Sequence, residues 1–440
     1  MRLEKLLMFL EAFFGGFYVA ITRNMFVPML VYYGYSLTQV AYVIILSGVL
    51  GVLISLLMYR YPQIVSRNPK SLLLTTHVLE RVSWFTLPLL LDQPILLSIM
   101  YGVAQSITIP VGVLLNYALL ALFSEERDFT DITILRTAGG SASSILGLGL
   151  GVYISTYISP PEVYILSYLT AFVVGILGSI SLLPINISER ESVVRESLES
   201  YAEEVEIRKI NTFTMLSLMN IGASILGIAW TPLLRELGAP LNIPITLGLV
   251  GSIGGVIGPY IWKGYKMYLL AMLINAITVV LIPLTPLLYL HLLYSFILSA
   301  TFVGANLIGA SIYSRYVRSI GIVRASTFLT ASAAVGMLAS SIVGVFVRGD
   351  ILIALLISSI TRFAATAIAG IAIPETAIVP REVAYGYARL IYTTTILGYT
   401  FTVETSIRTL KLTLQIIAFT VLLTLIYIIY RLGFILYKGV

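Results

Sequence analysis

Arg23, Glu80, Arg81 and Arg362 are charged side chains set inside otherwise apolar runs of this sequence, and His77 stands one helical turn before Arg81. A charge at the centre of a bilayer costs about 2.5–3.5 kcal/mol on insertion scales, so such residues are retained for binding, coupling or pairing. At about 1.5 Å of rise per helical residue, Arg23 and Glu80 sit at similar depths, each near the middle of the membrane. They are expected to approach each other, directly or through water, with Arg81 in the same charge group. Two readings follow. The pair is a lock between two helices, or Glu80 is a proton-coupling carboxylate whose charge state changes when a solute competes for the arginine. On the second reading His77 assists; the alternative is a structural histidine on an apolar helix. Glu11 lies near the end of its run and is expected to be solvated.

The charge balance points to the solute. Mid-membrane there are three arginines and one carboxylate, and the apolar runs of the second half hold no acid. Arg362 therefore bonds backbone carbonyls and polar side chains, snorkels, or faces a cavity and attracts an anion. The planar guanidinium fork suits carboxylate and phosphate. An anionic or carboxylate-bearing solute bound by Arg23, with help from Arg362, is the expectation.

The elements that must position these groups are membrane helices. The 440 residues are 58% hydrophobic and 11% charged, with a mean hydropathy of +0.97. A soluble domain carries about 25% charged residues, so most of this surface must face lipid. Solid apolar runs near spanning length exclude a β-barrel, whose strands would alternate. Six runs lie within 1–186 and six within 211–373, with a charged cytoplasmic linker helix expected at 187–210. A C-terminal extension over 374–440 adds a spanning run at about 412–430 and a short apolar stretch at 390–403, expected to be interfacial or re-entrant. The expected fold is all-α and polytopic: two parallel six-helix repeats plus one, or two, extra C-terminal membrane segments. With the N-terminus in the cytoplasm, Arg2, Lys5, Arg60, Arg67, Lys70, Arg127, Arg136, Arg190, Arg195, Arg208, Lys209, Lys263, Lys266, Arg315, Arg318 and Arg324 fall inside and, of those outside the apolar runs up to the twelfth, only Arg235 and Arg348 fall outside, the positive-inside bias of a multi-pass protein of the cell membrane. The net charge of +6 is thus a topology signal, not a nucleic-acid one. There is no cysteine, and the two histidines, His77 and His291, are far apart, so neither a metal nor a cofactor is expected.

Short echoes support the repeat. Pro28-Met29-Leu30 running on to Gly34 and Leu37 recurs as Pro232-Leu233-Leu234 running on to Gly238 and Leu241. Gly48-Val49-Leu50-Gly51 is echoed by Gly251-Ser252-Ile253-Gly254, and Ile132 to Arg136 by Ile320 to Arg324. An even number of crossings per unit makes the units parallel.

On these residues, together with the stretch from Leu119 through Glu125-Glu126-Arg127 to Arg136, the chain resembles the major facilitator superfamily over about residues 1–373. The resemblance implies a secondary transporter with a central cavity between two halves, working by alternating access. It implies that Asn24, Gln105 or Asn116, Asn220 and Asn306 face that cavity; interhelical hydrogen bonding is the alternative for each. Arg136 and Arg324 hold repeat-equivalent places and are either cytoplasmic gate contacts or topology anchors. Three features depart from the family pattern. The loop Tyr59 to Lys70 keeps basic residues but lacks the aspartate and glycines usual there, the glycines near Gly139 to Gly151 lack the antiporter proline, and the terminal helix is additional.

A secondary active transporter for a small organic solute, ion (proton) coupled and acting as a monomer in the bilayer, is thus expected. A flippase for lipid-linked glycans or lipids and a non-transporting scaffold are the alternatives. A membrane enzyme would need clustered acids or histidines at one face, and the outer loops are short and poor in both.

Overall fold

The computed structural model describes residues 3–123, 126–187, 203–262, 264–380, 382–393 and 427. Twelve long helices carry the described chain: α1 (Leu3–Tyr33), α2 (Leu37–Arg60), α3 (Pro69–Thr86), α4 (Pro94–Leu122), α5 (Glu126–Tyr157), α6 (Glu162–Ser181), α7 (Glu203–Glu236), α8 (Asn242–Ile261), α9 (Tyr265–Leu281), α10 (Leu288–Ile320), α11 (Ile322–Phe346) and α12 (Ile351–Ala372). Eleven of them are long and apolar enough to cross a membrane. The exception, α3, carries Lys70, Glu80 and Arg81 in eighteen residues, and it is the helix that brings charge into the interior.

The helix faces show which solvent surrounds them. On α12, Leu352, Leu356, Ile360 and Phe363 are exposed, whereas Ala354, Ser358, Ser359, Arg362, Ala365 and Ala369 are buried. Large apolar residues outside and small or polar ones inside is the arrangement lipid favours. The protein is a multi-pass helical membrane protein.

The packing repeats. α1 packs on α5 and α6, as α7 does on α11 and α12; α2 packs on α4, as α8 does on α10; α3 packs on α4 and α6, as α9 does on α10 and α12. The two sets meet along α2 with α11 and α5 with α8. The α2–α11 seam is close: a Cβ at Gly48 would lie 2.4 Å from the Leu338 Cα.

The sequence echo at Pro28 and Pro232 has a structural cause. Gly34 and Gly238 both take positive φ, +117° and +78°. The amide of Tyr35 bonds the Leu30 carbonyl at 3.0 Å and that of Gly34 bonds Val31 at 3.1 Å; Ala239 bonds Leu234 at 2.9 Å and Gly238 bonds Arg235 at 3.0 Å. Both helices end in the same glycine-dependent Schellman cap. After the first of these, Ser36 and Gln39 form a capping box that starts α2.

Helix ends depart from the apolar runs. α5 starts at Glu126, α7 at Glu203, and α10 extends to Ile320. Polar residues continue a helix into water but lie outside a hydropathy signal. Glu203 to Lys209 of the expected linker is therefore the first part of α7; the rest, 188–202, lies outside the described residues, as does the expected span at 412–430 apart from Tyr427. Helical residues 382–393 precede and overlap the short apolar stretch. There Ala388 packs with Ile207 and Ala372, and its carbonyl accepts from Asn211 Nδ2 at 3.0 Å.

Candidate functional site: a cavity between the helix sets and the charge network behind it

A cavity of about 670 Å³ lies between the two helix sets, lined by α1, α2, α4, α7, α8, α10, α11 and α12. Arg23, Asn24, Asn306 and Arg362 reach its wall, beside the aromatic rings of Tyr101, Trp230 and Phe302 and the hydroxyls of Ser224, Thr231 and Ser299. Of the other expected lining residues, Asn220 sits between α7 and α11, donating to Leu216 O at 3.0 Å and Ser332 Oγ at 3.1 Å. Gln105 and Asn116 are on α4 but do not line this cavity; Asn116 is exposed.

Arg23 is 38% exposed, and its Nη2 donates to Glu80 Oε1 at 3.3 Å. The other Glu80 oxygen accepts from Arg81 Nη1 at 2.6 Å. Arg81 also donates to the His77 carbonyl at 3.1 Å, approaches His77 Nε2 at 2.9 Å, and lies 4.7 Å above the Tyr18 ring. Beyond His77 stands Glu11, 3.3 Å from Nε2, itself paired with Arg136 Nη1 at 2.7 Å. Arg136, Glu11, His77, Arg81, Glu80 and Arg23 thus form one continuous chain of contacts from Arg136 on α5 to the cavity wall.

Two of these placements differ from the sequence reading. Glu11 is 3% exposed, not solvated; its neighbours in the chain are apolar, but α3 and α5 bring His77 and Arg136 to it. Arg136 turns inward within its own helix set and bonds the Met8 carbonyl. Arg324, its repeat counterpart, bonds across the seam to the Tyr59 carbonyl at 3.3 Å.

The second arginine is held differently. Arg362 is 2% exposed, and its Nη1 donates to Asn275 Oδ1. Asn275 is oriented for this because its Nδ2 donates to Leu298 O and Thr301 Oγ1, both at 2.8 Å. Gly222 leaves room for the arginine stem, since a Cβ there would lie 2.7 Å from Arg362 Cγ. Among the described residues no carboxylate forms an ion pair with Arg362, and its Nε has no hydrogen-bond partner.

His291 has a role that its isolation in the sequence conceals. Its Nδ1 accepts from Trp230 Nε1 at 3.0 Å, so Nε2 carries the proton and donates to Thr285 O at 2.9 Å. It fixes the Trp230 ring that lines the cavity. Both ends of the interface between the helix sets are bridged. At the end where α1 begins, Lys209 and Arg324 bond Tyr59. At the far end Tyr32 donates to the Ala239 carbonyl and Arg235 to the Val31 carbonyl.

Two solved transporters share this chain's fold. The nucleoside transporter NupG superposes with a TM-score of 0.56 at 15% identity, over 84% of this chain and 99% of its own. A D-xylose-proton symporter superposes with a TM-score of 0.61 at 14% identity, over 84% of this chain and 98% of its own. The chain has the major facilitator fold. At such identities the likeness carries the fold alone. No family model matches the sequence, and no curated protein does. In the major facilitator fold of this chain, the cavity and the charge network behind it are the candidate site.

Proposed function

We propose that this protein is a secondary transporter that carries a small organic anion across the cell membrane by alternating access, coupled to protons through Glu80. The observation that supports the anion is Arg362, a guanidinium at the cavity wall, almost wholly buried and without a counter-charge among the described residues. A buried charge lacking a partner is costly, and an anionic ligand would supply that partner. Arg23 offers the second cationic contact, since it is part-exposed and shares Glu80 with Arg81. The amides of Asn24 and Asn306 and the serine hydroxyls suit the polar remainder of an organic solute, and the rings of Tyr101 and Trp230 suit its apolar face.

The working cycle follows from the bridges at the two ends. Opening toward one side requires the Tyr59 contacts with Lys209 and Arg324 to part. Opening toward the other requires Tyr32 and Arg235 to release their carbonyls. The positive-inside charge bias supports a cytoplasmic position for the Tyr59 end. Domain boundaries near 187–210 and 373, an N-terminus inside, and monomeric action belong to the same reading.

The test is thermal stability of the purified protein against organic anions, cations and neutral solutes, because a ligand that binds the folded state raises the melting point by mass action. Stabilisation by anions, lost in Arg362→Gln, is the expected result. Stabilisation confined to cations or neutral solutes contradicts it.

A further inference from the structure

His77 presents one ring nitrogen to two partners with opposite requirements. Its Nε2 lies 2.9 Å from Arg81 Nη2 and 3.3 Å from Glu11 Oε1. A guanidinium only donates and a carboxylate only accepts. When the ring is neutral with its proton on Nδ1, Nε2 accepts from Arg81, and Nδ1–H donates to Ser179 Oγ at 2.8 Å, while that hydroxyl turns its own proton toward the Gly175 carbonyl. When Nε2 takes a proton from water, it donates to Glu11 instead and confronts Arg81 with a like charge.

Arg81 has a place to go. Its Nη1 is already 2.6 Å from Glu80 Oε2, and Glu80 Oε1 is the group that holds Arg23 at the cavity wall. An Arg81 pressed onto Glu80 satisfies that carboxylate and loosens its hold on Arg23. The reverse also follows: an anion that draws Arg23 from Glu80 lets Glu80 draw Arg81 from His77, which frees Nε2 to take a proton. The charged and titratable groups facing this path are Glu11, Tyr18 and Arg23 from α1, Glu80 and Arg81 from α3, Tyr101 from α4, Arg136 from α5 and Tyr168 from α6; α6 also contributes the Ser179 hydroxyl.

We propose that His77 is a protonation switch wired through Arg81 and Glu80 to Arg23, so that proton binding at His77 and anion binding at Arg23 favour each other and the two are carried in the same direction. Coupling of this kind is reciprocal by thermodynamic necessity. The inference rests on the anion-transport reading above, and its sign, symport instead of exchange, comes from the order of the contacts.

The test uses no solute. The chain holds two histidines, so protein labelled with 15N-histidine gives two sets of ring signals, and the set missing from His77→Gln belongs to His77. At high pH the His77 ring is expected as the Nδ1–H tautomer with Nε2 accepting. As pH falls, Nε2 becomes a donor. Arg23→Gln, which releases Glu80 onto Arg81 as a bound anion would, is expected to move the midpoint up by about one pH unit, tenfold in proton affinity. That shift is expected to vanish in a Glu80→Gln background, with Arg23→Met standing in where the glutamine variant does not fold. A ring that keeps one neutral tautomer between about pH 5 and pH 9 overturns the switch. So does a shift of equal size with and without Glu80, which would be the field of a removed charge, or a midpoint that falls. Because the readout is ligand-free, an absence of anion binding in the thermal assay would sink the anion reading and the symport that rests on it, while the His77 switch would stand or fall on this result alone.

Discussion

Arg23 and Arg362 both reach the cavity, but only Arg23 has a counter-charge among the described residues. Arg23 shares the Glu80 carboxylate with Arg81, while Arg362 donates to the neutral Asn275 amide. Replacing Arg362 by Met should therefore leave the melting point of the ligand-free protein unchanged or raised, while abolishing stabilisation by anions; a large loss of stability without ligand would show that the arginine holds α12 to α9 and does not await a solute. Glu11 behaves in the opposite way. It closes two contacts, to Arg136 and His77, so Glu11→Gln leaves the largely covered Arg136 without its counter-charge and should cost about 3–5 kcal/mol, read by unfolding of the purified variant. For Glu80→Gln the expectation is functional: proton-driven uptake is lost and solute exchange across the membrane is kept, and full proton coupling in that variant would remove Glu80 from the mechanism. Arg23 and Glu80 were legible in the sequence because a charge inside an apolar run stands out and depth follows from residue count. Glu11, Asn275 and the Trp230–His291 bond were not, because their partners come from other helices and no spacing along the chain marks them.

At the scale of elements, the endings of α1 and α7 explain why so short an echo was readable: each glycine takes a conformation other residues rarely adopt, so the cap leaves the same letters in both places. Apolar runs located the helices but not their ends, since Glu126 and Glu203 extend α5 and α7 with polar turns that hydropathy ignores. Seams were the least legible, being made by small residues whose partners are remote. Gly48 shows the consequence. A side chain there meets the Leu338 backbone, so Gly48→Leu should force α2 from α11, costing about 1–3 kcal/mol of stability from overpacking. Solute flux should fall by at least about tenfold, a modest 1.4 kcal/mol on the barrier. Flux measured in reconstituted vesicles, normalised to folded protein, decides whether that seam takes part in the cycle.

For the whole molecule, alternating access requires that the two bridged ends open in turn. The absence of cysteine makes this directly testable. Cysteines at Tyr32 and Ala239, joined by a short crosslinker, should stop transport, and so should cysteines at Tyr59 and Arg324; cleaving the linker should restore it in both cases. Transport that continues with either end locked would exclude a rocking cycle about this cavity. The central claim is that the cavity takes an organic anion and a proton together. The measurement that tests it most directly is internal pH in proteoliposomes as an outward-facing gradient of an organic anion identified by thermal stabilisation is applied. The account predicts acidification on the side the anion enters, abolished by Arg362→Gln. Anion movement with no proton movement, with protons running the opposite way, or undiminished in that variant would contradict it.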